Sequence, residues 1–357
     1  MITENSLLSV VIPTLGRPDV LARTLRHLAA QSVPPRHLEI IVCEDGCTEE
    51  TARVVGEARA HGFQRLEFLQ NDGHRGPGFT QNKGIRAAQC SLVLLLADDI
   101  WLEPGAVQAH LDMHSCHPQE TAAVLGRVEQ SPELAGSTFI KHWNPFNFAK
   151  LVGREHLPYY YFWGCNISFK REFVVRNGLF LEHRGRAADG RGSGGAAHED
   201  VELGYRLHQQ GLELFLAPDA WGYHYHLYTL EQATKRYYER GLNFGEIHRY
   251  VPDPEILVQN HVLTTDTWRD YASVFRRSNG LTGREASFAW HVLRQIAFHL
   301  LVNRVTETAL WRPLLDGAEK RPALASLVSG QLYRTYLYAQ FMRGIHDARM
   351  RYAEATA

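Results

Sequence analysis

The nonapeptide Ser91–Asp99 reads SLVLLLADD, an unbroken apolar run that ends in two adjacent acids. An apolar run of this length predicts a strand that is buried on both faces. A helical pattern at Pro104–His114 follows it directly. Strands of this kind, each followed by a helix, are typical of a parallel sheet covered by helices on both sides. We therefore predict an α/β fold with a Rossmann-like, mostly parallel sheet.

Three earlier strand–helix pairs repeat this pattern. The predicted strands are Leu7–Ile12, Leu38–Val42 and Arg65–Leu69, and the predicted helices are Asp19–Ala30, Thr48–His61 and Pro77–Gln89. We expect Pro13 to end the first strand. In such sheets ligands bind outside the carboxyl ends of the strands, so the polar residues at these ends form the candidate site. The loop Pro13–Pro18 contains one glycine, and therefore neither a dinucleotide fingerprint nor a P-loop follows the first strand.

The length of the chain and the pattern of its second half indicate two regions. A chain of 357 residues exceeds the usual size of a single domain. Beyond Tyr228 the pattern is helical, with apolar faces at Thr229–Arg240, Arg284–Val302 and Leu324–Arg351. We predict an α/β domain over residues 1–230 and a helical C-terminal region over residues 231–357. We expect the helical region to form a homodimer interface, dock on a partner or complete a substrate site.

The composition excludes several classes of protein. Hydrophobic residues make up 45% and charged residues 22% of the chain, and a net charge of −1 gives no basic field for binding nucleic acid. We find no apolar run of eighteen residues and no signal-peptide pattern, so we expect a cytoplasmic protein, with basic C-terminal residues that could contact the inner face of a membrane. The five scattered cysteines are typical of reduced thiols, and Cys43 and Cys47 lack the partners of a zinc site.

Asp98 and Asp99 are the strongest candidates for a metal site. Two adjacent carboxylates directly after an apolar strand repel each other, and a divalent cation such as Mg²⁺ or Mn²⁺ relieves that cost. The alternative is an N-cap for the next helix, which fits less well because Glu103 lies closer to the helix start. Farther along the chain, His224 and His226 share one face at strand spacing. We predict His224 as a third ligand, with His226 as the alternate.

Two further segments carry candidate chemistry. His198–Asp200 follows a glycine-rich stretch, Gly185–Gly195, and opens a helix by its spacing. Acids in the first turn of a helix gain from its dipole, which is one explanation of this segment. The other is that Asp200 is a general base at the mouth of the site, behind a glycine-rich loop that excludes water. The aromatic run Tyr159–Trp163 is either core or a stacking platform for a flat ligand.

Taken in order, these segments resemble glycosyltransferase family 2, a family of inverting enzymes with the GT-A fold. The resemblance extends from about Ser9 to His226 and depends on five motifs. They are the strand ending in Pro13-Thr14, the turn Glu44-Asp45-Gly46-Cys47, the segments Asn71-Asp72-Gly73 and Gln81-Asn82-Lys83-Gly84, the D-x-D region Ala97-Asp98-Asp99, and the E-D motif His198-Glu199-Asp200. Each motif alone is weak, but five in order at these spacings are specific.

The resemblance implies roles for individual residues. It implies a nucleotide-sugar part over about residues 1–130 and an acceptor part over about residues 131–230. The implied nucleotide and donor contacts are Pro13, Thr14, Asp45, Asn71, Gly73, Asn82, Lys83 and Asp98. The implied catalytic base is Asp200, with Glu199 beside it. The candidate metal ligands are Asp98, Asp99 and His224, and the candidate acceptor contacts are Tyr161, Trp163 and His198.

The implied function is transfer of a sugar from a nucleotide-diphosphate donor, UDP by family habit, to an acceptor hydroxyl by a metal-assisted single displacement. The acceptor stays open between a glycan, a lipid-linked sugar and a small molecule. A sugar-1-phosphate nucleotidyltransferase is one alternative, but it would need a glycine-rich basic loop where Pro13–Pro18 lies. A non-catalytic module that binds a sugar nucleotide or a glycan is another, favoured by Leu96, which stands where the family usually has an acid.

Overall fold

The computed structural model describes most of the chain. The described residues are 7–46, 49–134, 138–144, 146, 148–151, 153–182, 198–251, 253, 255–260, 293, 296, 300, 303–321 and 328–356. The chain divides into two compact units. The first unit consists of Met1–Leu134 and Asn144–Leu227, and the second consists of Ala135–Trp143 and Tyr228–Ala357.

The described part of the first unit contains one mixed sheet. Its strands are β1 (Leu8–Thr14), β2 (Leu38–Glu44), β3 (Arg65–Gln70), β4 (Leu92–Leu96), β5 (Ile100–Leu102), β6 (Ala122–Gln130), β7 (His156–Leu157), β8 (Asn166–Lys170) and β9 (Glu213–His224). Their order is β3-β2-β1-β4-β8-β6-β9-β5, and β7 pairs with β9 beside this path. The first four strands are parallel to one another, as are β6 and β9, whereas β5, β7 and β8 pair antiparallel. The prediction of a mostly parallel α/β sheet is confirmed.

The helices of both units alternate with or follow these strands. In chain order they are α1 (Pro18–Ala29), α2 (Glu49–Ala58), α3 (Pro77–Ala87), α4 (Ala106–Cys116), α5 (Thr138–His142), α6 (Arg171–Arg176), α7 (Glu199–His208), α8 (Leu230–Tyr250), α9 (Glu255–Gln259), α10 (Arg304–Thr306), α11 (Arg312–Lys320) and α12 (Gly330–Thr356). A π-helical turn at Glu307–Trp311 joins α10 to α11. Of these helices, α5 and α8 to α12 belong to the second unit.

The centre of the sheet is buried on both faces. Every residue of β2 is buried, and so are all residues of β4 after Leu92. Strands with no exposed face require cover on both sides, as the continuous apolar runs predict. Helix α3 packs closely on the sheet at Gly84. The distance is so short that a Cβ atom added to this glycine would lie 2.8 Å from the Cys43 sulfur. This close packing fixes the loop that leads from β3 to α3 at the carboxyl edge of the sheet.

Strand β1 is longer than predicted. It continues through Pro13 to Thr14, which pair in register with Cys43 and Glu44 of β2. The expectation that Pro13 ends the strand is therefore wrong. A proline near the end of a strand removes only one ladder N–H, and the rest of the β1–β2 pairing is continuous. The extension brings the Thr14 hydroxyl to the edge of the sheet.

The described part of the second unit is helical. Its two longest helices, α8 and α12, cross at Gly241 and Gly344, where a Cβ on either residue would overlap main-chain atoms of the other helix. Two glycines at the crossing let the helix backbones approach more closely than side chains would allow. Within the described residues, no helix combines the length and apolar character needed to cross a membrane.

Three features of the sequence analysis fall outside the described residues. They are Cys47, the glycine-rich stretch Gly185–Gly195 and most of the predicted helix Arg284–Val302. The predicted helix Leu324–Arg351 overlaps α12, which begins at Gly330, and the predicted helix Thr229–Arg240 overlaps the first half of α8.

Candidate functional site

The carboxyl ends of three neighbouring strands bring polar side chains to one edge of the sheet. Thr14 ends β1, Glu44 ends β2, and Asp98 and Asp99 follow β4. Because β1 lies between β2 and β4, these residues are neighbours in space. The Thr14 hydroxyl donates a hydrogen bond of 2.6 Å to Asp98 Oδ2, and all four side chains are buried. The edge that α/β sheets use for ligands is therefore polar and enclosed.

Asp98 is held by two side chains and is almost completely buried, with 1% of its surface exposed. Besides the bond from Thr14, the Arg17 guanidinium donates through Nε to Asp98 Oδ2 at 3.2 Å and through Nη2 to Oδ1. Burial is the main cause that raises the pKa of Asp98 to about 7, and the charge of Asp99 adds to it against the opposing effect of Arg17. Asp98 therefore resists ionisation more than an ordinary aspartate.

Asp99, His224 and His226 form a cluster of potential metal ligands. One ligand atom from each residue lies within 4.8 Å of the other two. Asp99 Oδ2 is 3.1 Å from His226 Nδ1 and 3.7 Å from His224 Nε2. The two imidazole rings stack with their centroids 5.8 Å apart. Strand β9 ends at His224, which pairs with Ile100 of β5, and His226 follows two residues after the end of the strand.

Asp99 is the charged member of the acid pair. Burial acts to raise its pKa, but hydrogen bonds with His224 and His226, together with the charge of Arg17, hold the pKa of Asp99 well below its usual range. The two adjacent acids thus differ in their protonation because their partners differ. A carboxylate that stays ionised beside two imidazoles is the state in which a cation binds.

The donor atoms of this cluster fit a divalent transition metal. Imidazole nitrogens suit transition metals, whereas Mg²⁺ prefers a shell of oxygen ligands. Mn²⁺ accepts carboxylate oxygen and imidazole nitrogen together, so the cluster fits Mn²⁺ better than Mg²⁺. The sequence predicts Asp98 as a ligand and His226 as the alternate to His224. In the structure His226 lies in the cluster with His224, and Asp98 lies outside it, bonded to Thr14 and Arg17.

Arg17 connects both acids and was absent from the sequence-predicted site. Its Nη1 donates to Asp99 Oδ2 at 2.8 Å and lies 3.0 Å from His226 Nδ1. It sits between Gly16, which has a φ of 58°, and the first residue of α1. A single arginine in a loop gives no periodic signal. Two buried acids at a strand end require a positive charge nearby, so the sequence does indicate that a basic side chain lies close to Asp98 and Asp99.

Asp45 organises the loop between β3 and α3. Its Oδ1 accepts hydrogen bonds from Asn71 Nδ2 at 3.0 Å and from the Arg75 amide at 2.7 Å, and its Oδ2 accepts one from the Gly76 amide at 3.0 Å. Lys83 joins the same network, with Nζ 3.3 Å from Asn71 Oδ1. Asp45, Asn71 and Lys83, all predicted donor contacts, are thus brought together.

Three other predicted donor contacts are placed differently. Asn82 is fully buried, and its amide group donates to the Phe180 carbonyl at 2.8 Å and accepts from the Phe180 amide at 2.9 Å. These bonds connect α3 to the segment that follows α6, so the Asn82 amide group stabilises the fold. Gly73 has a φ of 150° and open space around its Cβ position. Pro13 is half-buried within β1.

Glu44 is a second polar residue at this edge that the predicted site does not include. Its side chain is fully buried, and Oε1 accepts a hydrogen bond of 3.0 Å from the Gly16 amide. Its Oε2 has no hydrogen-bond partner among the described residues. A buried carboxylate oxygen without a donor is costly, so a ligand with an N–H group would be stabilised there. The signal available in the sequence was its place at the strand end, where its side chain alternates with that of Asp45.

The E-D motif lies at the start of α7. His198 precedes the helix with a left-handed φ of 79°, and its carbonyl accepts a hydrogen bond of 2.8 Å from the Glu202 amide. Glu199 is buried, whereas Asp200 is half-buried. Asp200 Oδ1 accepts a bond of 2.8 Å from the Val201 amide. Of the two acids in the motif, Asp200 is therefore the more accessible to a ligand.

Asp200 and Asp99 both act on Cys165, which directly precedes β8. Burial is the main cause that raises the pKa of the Cys165 thiol, and the charges of Asp200 and Asp99 both add to it. The Cys165 carbonyl accepts a hydrogen bond of 2.9 Å from the Ala97 amide, directly before the acid pair. Since charges act on a thiol only at short range, both carboxylates lie near this point.

The predicted acceptor aromatics lie beside the metal-ligand cluster. Trp163 contacts Tyr161, Phe148 and Phe146, with ring centroids 5.3, 5.5 and 6.1 Å apart. Phe146 in turn meets the His224 ring edge-on at 5.0 Å. Tyr161 and Trp163 are half-buried, so their rings keep accessible surface. A half-exposed aromatic surface next to potential metal ligands suits the apolar face of a ring-shaped ligand.

Sequence comparison defines the class of this domain. Residues 9–176 match the family model described as Glycosyl transferase family 2. Validoxylamine A glucosyltransferase of Streptomyces hygroscopicus subsp. limoneus is 31% identical over 241 residues, which cover 60% of this chain and 51% of that protein. Chondroitin synthase of Escherichia coli is 25% identical over 286 residues, 69% of this chain and 38% of that protein. The chain thus spans about half the length, or less, of these relatives. The region 9–176 belongs to glycosyltransferase family 2, as its motifs predict.

Solved structures share the fold. S. aureus TarS 1–349 has a TM-score of 0.51 at 16% identity, covering 96% of this chain and 91% of that chain. The mannosyltransferase PcManGT from Pyrobaculum calidifontis, in complex with GDP-Man and Mn²⁺, has a TM-score of 0.55 at 15% identity, covering 95% and 87%. At these identities the likeness concerns the fold, which is GT-A-like with a C-terminal helical region. The predicted fold class is confirmed.

Proposed function

We propose that the chain is an inverting glycosyltransferase that moves a sugar from a nucleotide-diphosphate donor to an acceptor hydroxyl with the help of a divalent metal. The observation that carries this proposal is the Asp99–His224–His226 cluster at the carboxyl edge of a family 2 domain, with Asp200 and Asp99 both near Cys165. A relative named as a glucosyltransferase and a structural neighbour solved with GDP-Man and Mn²⁺ support the class of reaction. UDP is the proposed nucleotide.

The donor's nucleotide lies, in this proposal, along the ends of β1 and β2. Asp45 already accepts three hydrogen bonds from the loop, so its carboxylate serves mainly to hold that loop in place. Glu44 Oε2 is the buried acceptor that is still available for an N–H group of the base. We therefore propose that Glu44, with Asp45 supporting the loop beside it, contacts the base. Thr14, Asn71 and Lys83 complete this side of the donor site.

The chemistry divides between the cation and the side chains. When bound at Asp99, His224 and His226, Mn²⁺ would neutralise the charge that develops on the diphosphate leaving group. Asp200 takes the proton of the acceptor hydroxyl, whose oxygen then bonds to the anomeric carbon as the bond to the diphosphate breaks. Attack from the face opposite the leaving group inverts that carbon. Glu199 is buried and supports the start of α7 that carries Asp200.

The acceptor is proposed to stack on Tyr161 and Trp163, with His198 at the entrance to α7. Half-exposed aromatic rings bind the apolar face of a sugar or cyclitol through stacking and the exclusion of water. The edge contact between Phe146 and His224 supports an acceptor position beside the proposed cation ligands. An acceptor bound there would have its hydroxyl near both the donor and Asp200.

Calorimetry with UDP, GDP and TDP, each with Mn²⁺ and with EDTA, is the first test of the proposal. We expect one nucleotide, UDP before the others, to bind in the presence of Mn²⁺ and to bind at least tenfold more weakly in EDTA. Mg²⁺ in place of Mn²⁺ should give weaker binding because two of the ligands are imidazoles. The absence of binding by every nucleotide under every condition would refute the transferase proposal.

The second test separates catalysis from binding. Asp200→Asn keeps the size of the side chain but removes the base, so turnover should fall by about 10²- to 10⁴-fold while the nucleotide Kd stays within about twofold. Asp219→Asn, at an exposed position on β9, is the matched control and should keep full activity. Equal activities of the two variants would remove Asp200 from the mechanism and favour a different base.

A further inference from the structure

Arg17 occupies the position between the two acids that the proposed metal also needs. Its guanidinium donates to Asp98 through Nε and Nη2 and to Asp99 Oδ2 through Nη1 at 2.8 Å. The same Nη1 lies 3.0 Å from His226 Nδ1. Two of the three potential metal ligands, Asp99 and His226, are thus already in contact with this one cation.

We propose that Arg17 is a resident cation of the metal site, which a divalent metal must displace and which then binds the diphosphate of the donor. This inference rests on the proposed function, because it takes both the metal and the nucleotide diphosphate from it. In this arrangement Arg17 is a positioning residue that couples the binding of metal to the binding of nucleotide.

Electrostatics makes the two cations exclusive. A guanidinium that shares Asp99 Oδ2 with a divalent ion would lie within a few ångströms of a double positive charge, in a buried region where screening is weak. A metal bound to His226 Nδ1 would occupy the atom that Arg17 Nη1 contacts at 3.0 Å.

The position of Arg17 in the chain allows it to move without unfolding its surroundings. The side chain is 35% exposed, so it reaches the acids from the solvent side of the site. It follows Gly16, and the Gly16 amide is anchored to Glu44 Oε1 at 3.0 Å, which keeps the backbone in place. A long side chain on a fixed backbone can exchange one partner for another by rotating its own bonds.

A diphosphate is the partner that the displaced guanidinium would take. Guanidinium forms paired hydrogen bonds with phosphate oxygens as it does with carboxylates. The donor's diphosphate would lie next to the metal, because the metal neutralises it. Arg17 would then exchange two carboxylates for phosphate oxygens within the reach of its own side chain. Binding of the metal and binding of the nucleotide would each favour the other, as linkage requires.

The test measures Mn²⁺ binding rather than activity. Mn²⁺ is titrated into the wild-type chain, Arg17→Met and Arg17→Lys, first without nucleotide and then with saturating UDP, and bound metal is followed by electron paramagnetic resonance. Without nucleotide, Arg17→Met should bind Mn²⁺ at least tenfold more tightly than the wild type, and Arg17→Lys should lie between them. UDP should strengthen Mn²⁺ binding more in the wild type than in Arg17→Met.

Arg53→Met is the matched control, since Arg53 pairs with Glu50 and Glu57 on the exposed face of α2. It should bind Mn²⁺ as the wild type does. If Arg17→Met does not fold because Asp98 and Asp99 lack a compensating charge, Arg17→Lys still tests the inference. Lysine keeps the positive charge but loses the paired hydrogen bonds of the guanidinium. Mn²⁺ affinities of Arg17→Met and Arg17→Lys that equal the wild-type value, or fall below it, would overturn the inference. The proposed function would be refuted by a different result, the absence of nucleotide binding with any metal. Failure of the Arg17 inference and failure of the proposed function can therefore be distinguished.

Discussion

The main-chain amide of Tyr225 donates a hydrogen bond of 2.9 Å to the carbonyl oxygen of Asp99. This bond continues the pairing of β5 with β9, in which Ile100 stands opposite His224. It fixes His224 and His226 on either side of Tyr225 and next to the Asp99 carboxylate. The ligand cluster is therefore held by the pairing of two strands, which positions side chains more rigidly than a loop does.

Removal of either histidine should weaken metal binding. We expect His224→Ala and His226→Ala each to reduce Mn²⁺ affinity by at least tenfold, because a site with three protein ligands loses one of them. Calorimetry in the presence of UDP measures the change. His61→Ala, at an exposed position after α2, is the control and should leave the affinity unchanged. A histidine variant that binds Mn²⁺ as well as this control would exclude that histidine from the site.

Asp45 should be important for the stability of the domain. Asp45→Ala removes the acceptor of three hydrogen bonds from Asn71, Arg75 and Gly76, and we expect a loss of about 1–3 kcal/mol in the free energy of unfolding. Urea denaturation at pH 7 measures it. If Asp45 served instead to contact the base, the variant would unfold at the wild-type urea concentration and lose only nucleotide affinity.

The fold could be predicted where local pattern decides it. Strands β1, β2 and β4 are mostly apolar, and this pattern predicts their burial on both faces, although Ser9 and Glu39 are buried among the apolar residues. The placement of β8 antiparallel between β4 and β6 could not be predicted, because the order of strands depends on which surfaces pack best across the whole chain. The hydrophobic periodicity of a segment predicts its secondary structure but not which strands lie beside it in the sheet.

The same limit applies to the site. Asp98, Asp99 and His224 could be proposed because two adjacent acids directly after an apolar strand, and two histidines at strand spacing, are unusual patterns. Arg17 and Glu44 could not, since an arginine or a glutamate is common at such positions. What distinguishes Arg17 is contact with acids 81 and 82 residues away in the chain. Such contacts are set by the order of strands, which brings the end of β1 next to the end of β4.

Two buried histidines should make the domain sensitive to acid. His110 bonds to Asn166 Oδ1 at 3.0 Å and to the Ser168 hydroxyl at 2.8 Å, and His114 lies 2.9 Å from the same hydroxyl. Burial lowers the pKa of His110 to about 4 and that of His114 to about 3, where the nearby charge of Lys170 also contributes. Both rings are therefore neutral in the folded state.

A histidine whose pKa is lower in the folded state than in the unfolded state contributes stability above the unfolded value, near pH 6.5, and loses it as the pH falls toward the folded value. For His110 the loss should approach roughly 3 kcal/mol by pH 4. Urea denaturation at pH 7.0, 5.5 and 4.5 measures it. His110→Gln, which does not titrate, should lose less stability over this range. Parallel losses in both proteins would contradict the assignment.

Trp163 should act on the acceptor and not on the donor. Trp163→Ala removes the half-exposed ring between Tyr161 and Phe146, so the KM for the acceptor should rise by about tenfold with little change in the nucleotide Kd. Trp163→Phe keeps an aromatic face and should retain most of the affinity. Trp221→Ala is the control, because Trp221 stacks with Arg127 elsewhere on the domain. An unchanged acceptor KM in Trp163→Ala would place the acceptor on another surface.

Gly204 should be intolerant of any side chain. It lies within α7, where an added Cβ would stand 2.6 Å from the Tyr159 carbonyl oxygen and 2.8 Å from Phe162 Cβ. Gly204→Ala should therefore lower the free energy of unfolding by about 1–3 kcal/mol, and lower activity as well, because α7 carries Asp200. Gly56→Ala is the matched control, since Gly56 also lies within a helix but has open space around its Cβ position. There alanine should stabilise the helix by up to about 1 kcal/mol, because it loses less backbone entropy on folding than glycine. Urea denaturation of the two variants should give changes of opposite sign, and a stabilised Gly204→Ala would show that α7 does not pack against Tyr159 and Phe162 this closely.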